Sequence, residues 1–173
     1  EAGTVRIVAG CGAGSTRKSL RMVRRAAALG ASAALVVTPY YVRPTQEGLV
    51  RHYLALADEG GLPLVPYNVP TRTGCDLLPD TLARIAVHER IVAIKEARAD
   101  EERMRALLPL RDERFAVLSG DDPTALRAMR MGADGVVSVA NNVVPRTFRA
   151  LCDAARSGRA DVAAALDARL APL

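Results

Sequence analysis

The chain has 173 residues, half of them hydrophobic and 3% aromatic, with no Trp and a net charge of +5. That is enough apolar material for one sizeable core of Ala, Val, Leu and Ile, and residues 1–173 read as a single domain or part of one. The positive charge does not mark a nucleic-acid binder: no basic run exceeds two residues, no aromatics interleave with one, and the arginines are mixed with Asp and Glu along helical stretches.

The elements alternate strand and helix. A strand is expected over Val5–Gly10, then a Gly12-Ala13-Gly14 turn and a helix capped by Ser15 or Thr16 and stopped by Gly30. A second strand, Ala34–Pro39, leads through Tyr40-Tyr41 to a helix opened by Thr45 and ended by Gly60-Gly61. The third strand, Leu64–Asn68, runs into a long loop, Val69–Leu78, and Pro79 starts the next helix. Ile91–Glu96 is the fourth strand, and Asp100 caps a helix to about Leu110. Ala116–Gly120 is the fifth, followed by a helix from Asp122-Pro123 to Met131-Gly132. Gly135–Val139 is the sixth, followed by a helix over 145–157 and a last helix over 160–170.

Six βα units imply a parallel sheet. Periodicity alone does not separate a doubly wound sheet from a (β/α)8 barrel. The polar residues favour the barrel, because they gather at many different strand ends: Cys11, Thr38, Tyr67, Asn68, Lys95, Glu96, Ser119 and Asp121. The expected fold is therefore a TIM barrel, present as a partial barrel of about six βα units plus one C-terminal helix.

Several familiar chemistries are not supported. Gly10-Cys11-Gly12-Ala13-Gly14 spells GxGxG rather than GxGxxG, and no acidic residue ends the next strand to hold a ribose. Cys11, Cys75 and Cys152 are scattered, which argues against a disulfide framework or a zinc site and fits a cytoplasmic setting; no metal ligand set is expected. His52 and His88 fall in helices, as packing or surface residues rather than as a general base. No transmembrane run is read, and no membrane partner is expected.

One stretch stands out. Ile91-Val92-Ala93-Ile94 reads as a buried strand, and Lys95 arrives near its end. Of the chain's 24 basic residues only Lys18 and Lys95 are lysines. Arginine replaces lysine in most surface roles but cannot form a Schiff base. Tyr67 ends the neighbouring strand, where its phenol can move a proton at a group attached to Lys95. Arg72 lies in a loop bounded by Pro70 and Gly74, where a guanidinium suits a carboxylate. Lysine, phenol and guanidinium together suggest a Schiff-base site for an oxoacid.

At these residues the sequence resembles the dihydrodipicolinate synthase family, in the N-acetylneuraminate lyase superfamily of pyruvate-dependent class I aldolases. The resemblance runs through VRIVAGCGAGST, VVTPYYVRPTQEGLVRHY, YNVPTRTGCDLLPDTL, IVAIKEA, VLSGDD and GADGVVSVANNVVP. It implies that Lys95 forms the imine with pyruvate, with no further cofactor. It implies that Tyr67 relays protons and that Arg72 holds the carboxylate of aspartate semialdehyde. Tyr41 would join the relay in a neighbouring subunit's site, so a homo-oligomer (dimer or tetramer) is expected where the full barrel is present. Gly120 and Val137 would line the pyruvate pocket, and the product would enter lysine and diaminopimelate synthesis. Alternatives are another oxoacid aldolase, such as an N-acetylneuraminate lyase, or a non-catalytic barrel remnant.

Departures from the family pattern carry their own expectations. The chain matches units three to eight of the family barrel and contains no Gly-Thr-Thr loop, so weak or absent activity is expected of these residues alone. Arg98-Ala99 stands where Thr-Gly is usual, which would put a bulky charge near the site mouth. Pro66 would remove a ladder donor from a central strand. Gly14 and Lys18 stand where lysine-sensitive members carry Asn and Glu, so lysine inhibition is not expected.

Overall fold

The computed structural model describes residues 5–173. Its centre is one parallel sheet in the order β1-β2-β3-β4-β5-β6, formed by Val8–Gly10, Ala33–Val37, Leu64–Asn68, Ala93–Glu96, Ala116–Ser119 and Gly135–Val136. Spatial order equals chain order, so every crossover steps the same way. A doubly wound sheet needs one reversal, and none occurs among the described strands. The fold is a partial (β/α)8 barrel, an arc of six strands with helices on its outer face.

The helices are α1 (Thr16–Ala28), α2 (Gln46–Glu59), α3 (Pro70–Thr73), α4 (Pro79–Ala86), α5 (Glu101–Leu107), α6 (Ala125–Met131), α7 (Pro145–Arg156) and α8 (Ala160–Leu170). Ser15, Thr45 and Asp100 cap α1, α2 and α5 by accepting from the backbone N–H three residues on. In β2, Ala34 and Val36 are fully buried under the helices, whereas Leu35 and Val37 face the inside of the arc and are half-buried. Val23, Leu49, Leu56, Leu82, Ile85 and Leu107 complete the core between strands and helices.

The long loop Val69–Leu78 contains a single helical turn, α3, started by Pro70 and closed by Gly74 in the left-handed region (φ 68°). The helix expected from Asp122 begins at Ala125: the Asp122 side chain accepts instead from Val139 and Ala140 beyond β6, and Asp121 accepts from the Thr124 hydroxyl. β6 is only two residues long, and the chain turns away after it.

Pro66 acts as the sequence suggests. Between β3 and β4 the pairing is split into a bridge at Leu64–Ile91 and a register Tyr67–Lys95, Asn68–Glu96. With no N–H at Pro66, the Val92 carbonyl is left to accept from Ala116 on β5 at 3.0 Å. The ladder resumes at the pairs Tyr67–Lys95 and Asn68–Glu96.

Candidate active site

Tyr67 and Lys95 are register partners on the inner face of the sheet. The Lys95 ammonium nitrogen sits 4.1 Å from the centroid of the Tyr67 ring. Lys95 is only 7% exposed. Burial pushes its pKa below the ordinary lysine value; the negative field of Asp122 opposes this, and the positive field of Arg72 adds to it. A larger share of Lys95 is therefore neutral, and nucleophilic, than of a surface lysine at the same pH. Burial moves the Tyr67 phenol the other way, upward, with Arg72 opposing and Glu96 reinforcing. The ring thus presents a protonated hydroxyl rather than a phenolate at neutral pH.

Gly120, just past β5, makes room for the lysine. A Cβ built on it would lie 2.7 Å from Lys95 Cε and 2.8 Å from Cγ. Its N–H donates to the Glu96 carbonyl at 2.7 Å, which holds the glycine against the β4 end.

Arg72 is exposed on α3 and borders two open cavities. One, of about 350 Å³, is also lined by Gly120, Asp121, Asp122 and Phe148. The other, of about 480 Å³, is lined by Gly10, Gly12, Leu35, Val37, Tyr40 and Tyr67. The guanidinium therefore stands at the junction of the two spaces beside the Lys95–Tyr67 pair.

The remaining expected residues lie further out. Tyr41 is 93% exposed and holds a left-handed backbone (φ 73°), with its N–H donated to the Thr73 carbonyl at 3.3 Å. It is not brought to Lys95 within this chain. Val137 is half-buried just past β6, donating to the Ser119 carbonyl at 2.8 Å. Val139, rather than Val137, borders the cavity beside Gly120.

Arg98 is placed differently from the sequence expectation. Its guanidinium pairs with Asp76 at 3.0 Å and with Asp100 at 2.8 Å, and it borders a shallow groove on the α5–α6 side. Neither of the two cavities bordered by Arg72 is lined by it. Two carboxylates on the outer side of the sheet draw the charge away from the mouth.

Sequence reasoning assigned no role to a buried polar cluster behind the site. Glu96, 1% exposed, accepts from Asn68 Nδ2 at 3.0 and 3.2 Å and from the Arg98 N–H at 2.7 Å. Arg103 lies 3.9 Å from the same carboxylate and donates to Asp76 at 2.6 Å and to the Leu77 carbonyl at 2.9 Å. Only the outward alternation of residues 68 and 96 hinted at it. Asp122 was likewise unassigned. One of its oxygens accepts from the Val139 and Ala140 N–H groups, and the other is buried without a partner.

Burial raises the Glu96 carboxyl to about 7, against the hydrogen bonds from Asn68 and Arg98 and the charge of Arg103; Asp76 adds to the rise. A carboxyl whose folded pKa exceeds its unfolded value lends stability that is full below the unfolded pKa and is lost as pH rises through the folded one. Stability should thus fall between about pH 4.5 and pH 7 by on the order of 2–3 kcal/mol. Urea denaturation across that range checks this, and Glu96→Gln should flatten the slope. An equal slope in the variant would refute the assignment.

His52 is buried with its Nδ1 2.8 Å from the Thr16 hydroxyl, and His88 pairs with Asp58 at 3.1 Å; neither is near Lys95 in the sheet. No helix of the described residues is long and apolar enough to cross a membrane.

The chain is similar to several known proteins. The chain is 60% identical over 169 residues to the 4-hydroxy-tetrahydrodipicolinate synthase of Xanthomonas axonopodis pv. citri, covering 98% of this chain and 56% of that protein. The synthase of Methylococcus capsulatus is 48% identical over 172 residues, with 99% and 59% covered. Among solved structures, dihydrodipicolinate synthase from Aquifex aeolicus superposes with a TM-score of 0.95 at 40% identity, covering 99% of this chain and 59% of that one. The chloride-inhibited enzyme from Acinetobacter baumannii, solved with pyruvate, superposes with a TM-score of 0.92 at 46% identity, covering 96% and 57%. The chain therefore spans somewhat over half the length of these relatives. The sequence model of the dihydrodipicolinate synthetase family matches residues 1–173 in full, and the chain belongs to that family.

Proposed function

We propose that this chain carries the imine-forming part of a pyruvate-dependent aldolase site. In the whole protein that site condenses pyruvate with aspartate semialdehyde to 4-hydroxy-tetrahydrodipicolinate, on the route to lysine and diaminopimelate. The observation that carries the reading is the buried Lys95 amine against the Tyr67 ring, with Gly120 clearing the space beside it. The relative solved with pyruvate, at 46% identity, supports the choice of oxoacid.

The chemistry follows from the residues. Neutral Lys95 attacks the ketone carbon of pyruvate, and the carbinolamine loses water to give an iminium. The iminium withdraws electrons, so the adjacent methyl loses a proton and the enamine attacks the aldehyde carbon. Tyr67, kept protonated by burial, gives a proton to the departing hydroxyl and takes part in the later transfers. Arg72 binds the carboxylate of the aldehyde at the junction of the two cavities. Tyr41, exposed and held in a left-handed backbone, suits a role in the site of a second copy in a homo-oligomer. No cofactor beyond the covalent imine enters the scheme.

Borohydride reduction in the presence of pyruvate, followed by peptide mass analysis, tests this. The adduct should form on Lys95 and not on Lys18, the chain's other lysine. Its rate should rise with pH and level off below the ordinary lysine pKa. Lys95→Arg should give none. An unmodified Lys95 in a folded sample would sink the proposal for this polypeptide. With the whole protein, unimpaired turnover of aspartate semialdehyde by Arg72→Ala would favour a different oxoacid aldolase.

A further inference from the structure

We propose that Glu96 and Asn68 are positioning residues, a clamp on the outer face of the sheet that holds Lys95, Tyr67 and the Arg72 loop in one arrangement. The inference rests on the reading of Lys95 as the imine-forming residue.

The register makes the clamp possible. Tyr67 pairs with Lys95 and Asn68 with Glu96 in the same ladder. Successive side chains point to opposite faces, so the clamp lies directly behind the reacting pair. Asn68 Nδ2 donates to Glu96 and, at 2.8 Å, to Asp76, while its Oδ1 accepts from the Leu77 N–H at 2.9 Å. Residue 68 enters the Arg72 loop and residues 76 and 77 leave it. One side chain therefore closes both ends of that loop and joins them to the β4 end.

The groups around Glu96 come from every neighbouring element; the Asn68, Arg98 and Arg103 groups favour its ionised form, whereas the Asp76 carboxylate is a like charge that opposes it. Asn68 comes from β3 and Asp76 from the Arg72 loop. The Arg98 N–H and guanidinium come from the segment after β4, and Arg103 from α5. On β5 its register partner Ser119 is buried, with its hydroxyl engaged by the Asp121 backbone. The carboxylate faces donors: two N–H groups accepted directly, and a guanidinium beside it. A proton on Glu96 would turn one acceptor into a donor facing donors, and the clamp would loosen. Because burial places that carboxyl near neutrality, the clamp should be fully formed only above about pH 7. The ionised form that holds the site is also the form that folding disfavours. A cluster serving stability alone would gain from an apolar replacement.

Two readouts test the clamp, one with pyruvate and one without. Borohydride trapping at Lys95 is followed between about pH 6 and pH 9 in the parent and in Glu96→Gln. The parent rate should show an inflection near 7 in addition to the limb set by the lysine. The variant should lose that inflection, keep the lysine limb, and be about tenfold slower at pH 8. Without pyruvate, amide exchange at Leu77, Ala97 and Arg98, corrected for intrinsic rates, should speed up about tenfold in the variant while β1 and β2 keep parental protection. In the parent the same amides should open below pH 7. Parental exchange at these amides in the variant would overturn the clamp, as would a parental trapping profile. If the parent forms no adduct but its exchange responds as stated, the Schiff-base reading falls and the clamp stands. If Glu96→Gln does not fold, the parent's own pH dependence decides, and its absence would refute the clamp.

Discussion

Gly120→Ala should slow adduct formation between pyruvate and Lys95 by about a hundredfold while leaving the chain folded, a barrier increase of roughly 2.7 kcal/mol. The added methyl would lie 2.7 Å from Lys95 Cε, 2.8 Å from Cγ and 3.2 Å from the Ala97 Cβ. A clash with Cε alone would be relieved by swinging the amine aside. A clash with Cγ is different, because it moves the root of the side chain. The glycine cannot retreat either, since its N–H is tied to the Glu96 carbonyl at 2.7 Å. Lysine is therefore the group that moves, and because Gly120 lies on its β5 side and Tyr67 on its β3 side, it is forced against the Tyr67 ring and out of its present arrangement. Gly120 is outside the left-handed region, so alanine meets no backbone strain there and the loss comes from space alone. Timed borohydride trapping, with a thermal melt as control, measures it. A variant that melts as the parent does and reacts at the parental rate would show that Lys95 does not need the space.

Arg103→Met should destabilise the fold by about 3 kcal/mol at neutral pH, the low end of what breaking one side of a buried ion pair removes. Arg103 is 5% exposed and serves three acceptors: Asp76, the Leu77 carbonyl and, at 3.9 Å, Glu96. Methionine keeps most of the stem's volume, so the loss reports the guanidinium rather than a cavity. Asp76 retains Arg98 at 3.0 Å, which limits the damage there. Glu96 keeps only the neutral donors Asn68 and the Arg98 N–H. The deficit should shrink below pH 6, where Glu96 is protonated, and Glu96→Gln in the same chain should recover part of it. Urea denaturation at two pH values checks both statements. A loss under about 1 kcal/mol would mean that the guanidinium contributes little to holding the cluster.

Much of this protein is legible without coordinates because its information is local. Runs such as Ala34–Val37 and Leu64–Asn68 announce strands, and Ser15, Thr45 and Asp100 announce helix starts through caps that depend on three residues at most. The neighbourhood of Tyr67 and Lys95 is legible too, because consecutive βα units place consecutive strands side by side and both residues fall at strand ends. The rarity of lysine in an arginine-rich chain singles out Lys95 on chemical grounds alone.

Other features are decided only when elements meet. Periodicity left both a barrel and a doubly wound sheet open, and the monotonic strand order settles it, since strand order depends on where each crossover lands. Arg98 follows Lys95 by three residues yet is turned from the cavity by Asp76 and Asp100, the first of them 22 residues away in the chain. The polar cluster at Glu96 joins β3, the Arg72 loop, β4 and α5, and no local stretch the length of one strand or helix contains all four. The physical division is between backbone preferences, which residues express with their immediate neighbours, and side-chain pairing, which depends on register and approach between distant segments. The sequence by itself determined the strands, the helices, the family and the candidate lysine. The tertiary structure decided the arc, the space at Gly120 and the ion-pair network behind the site, because each is a distance between residues far apart along the chain.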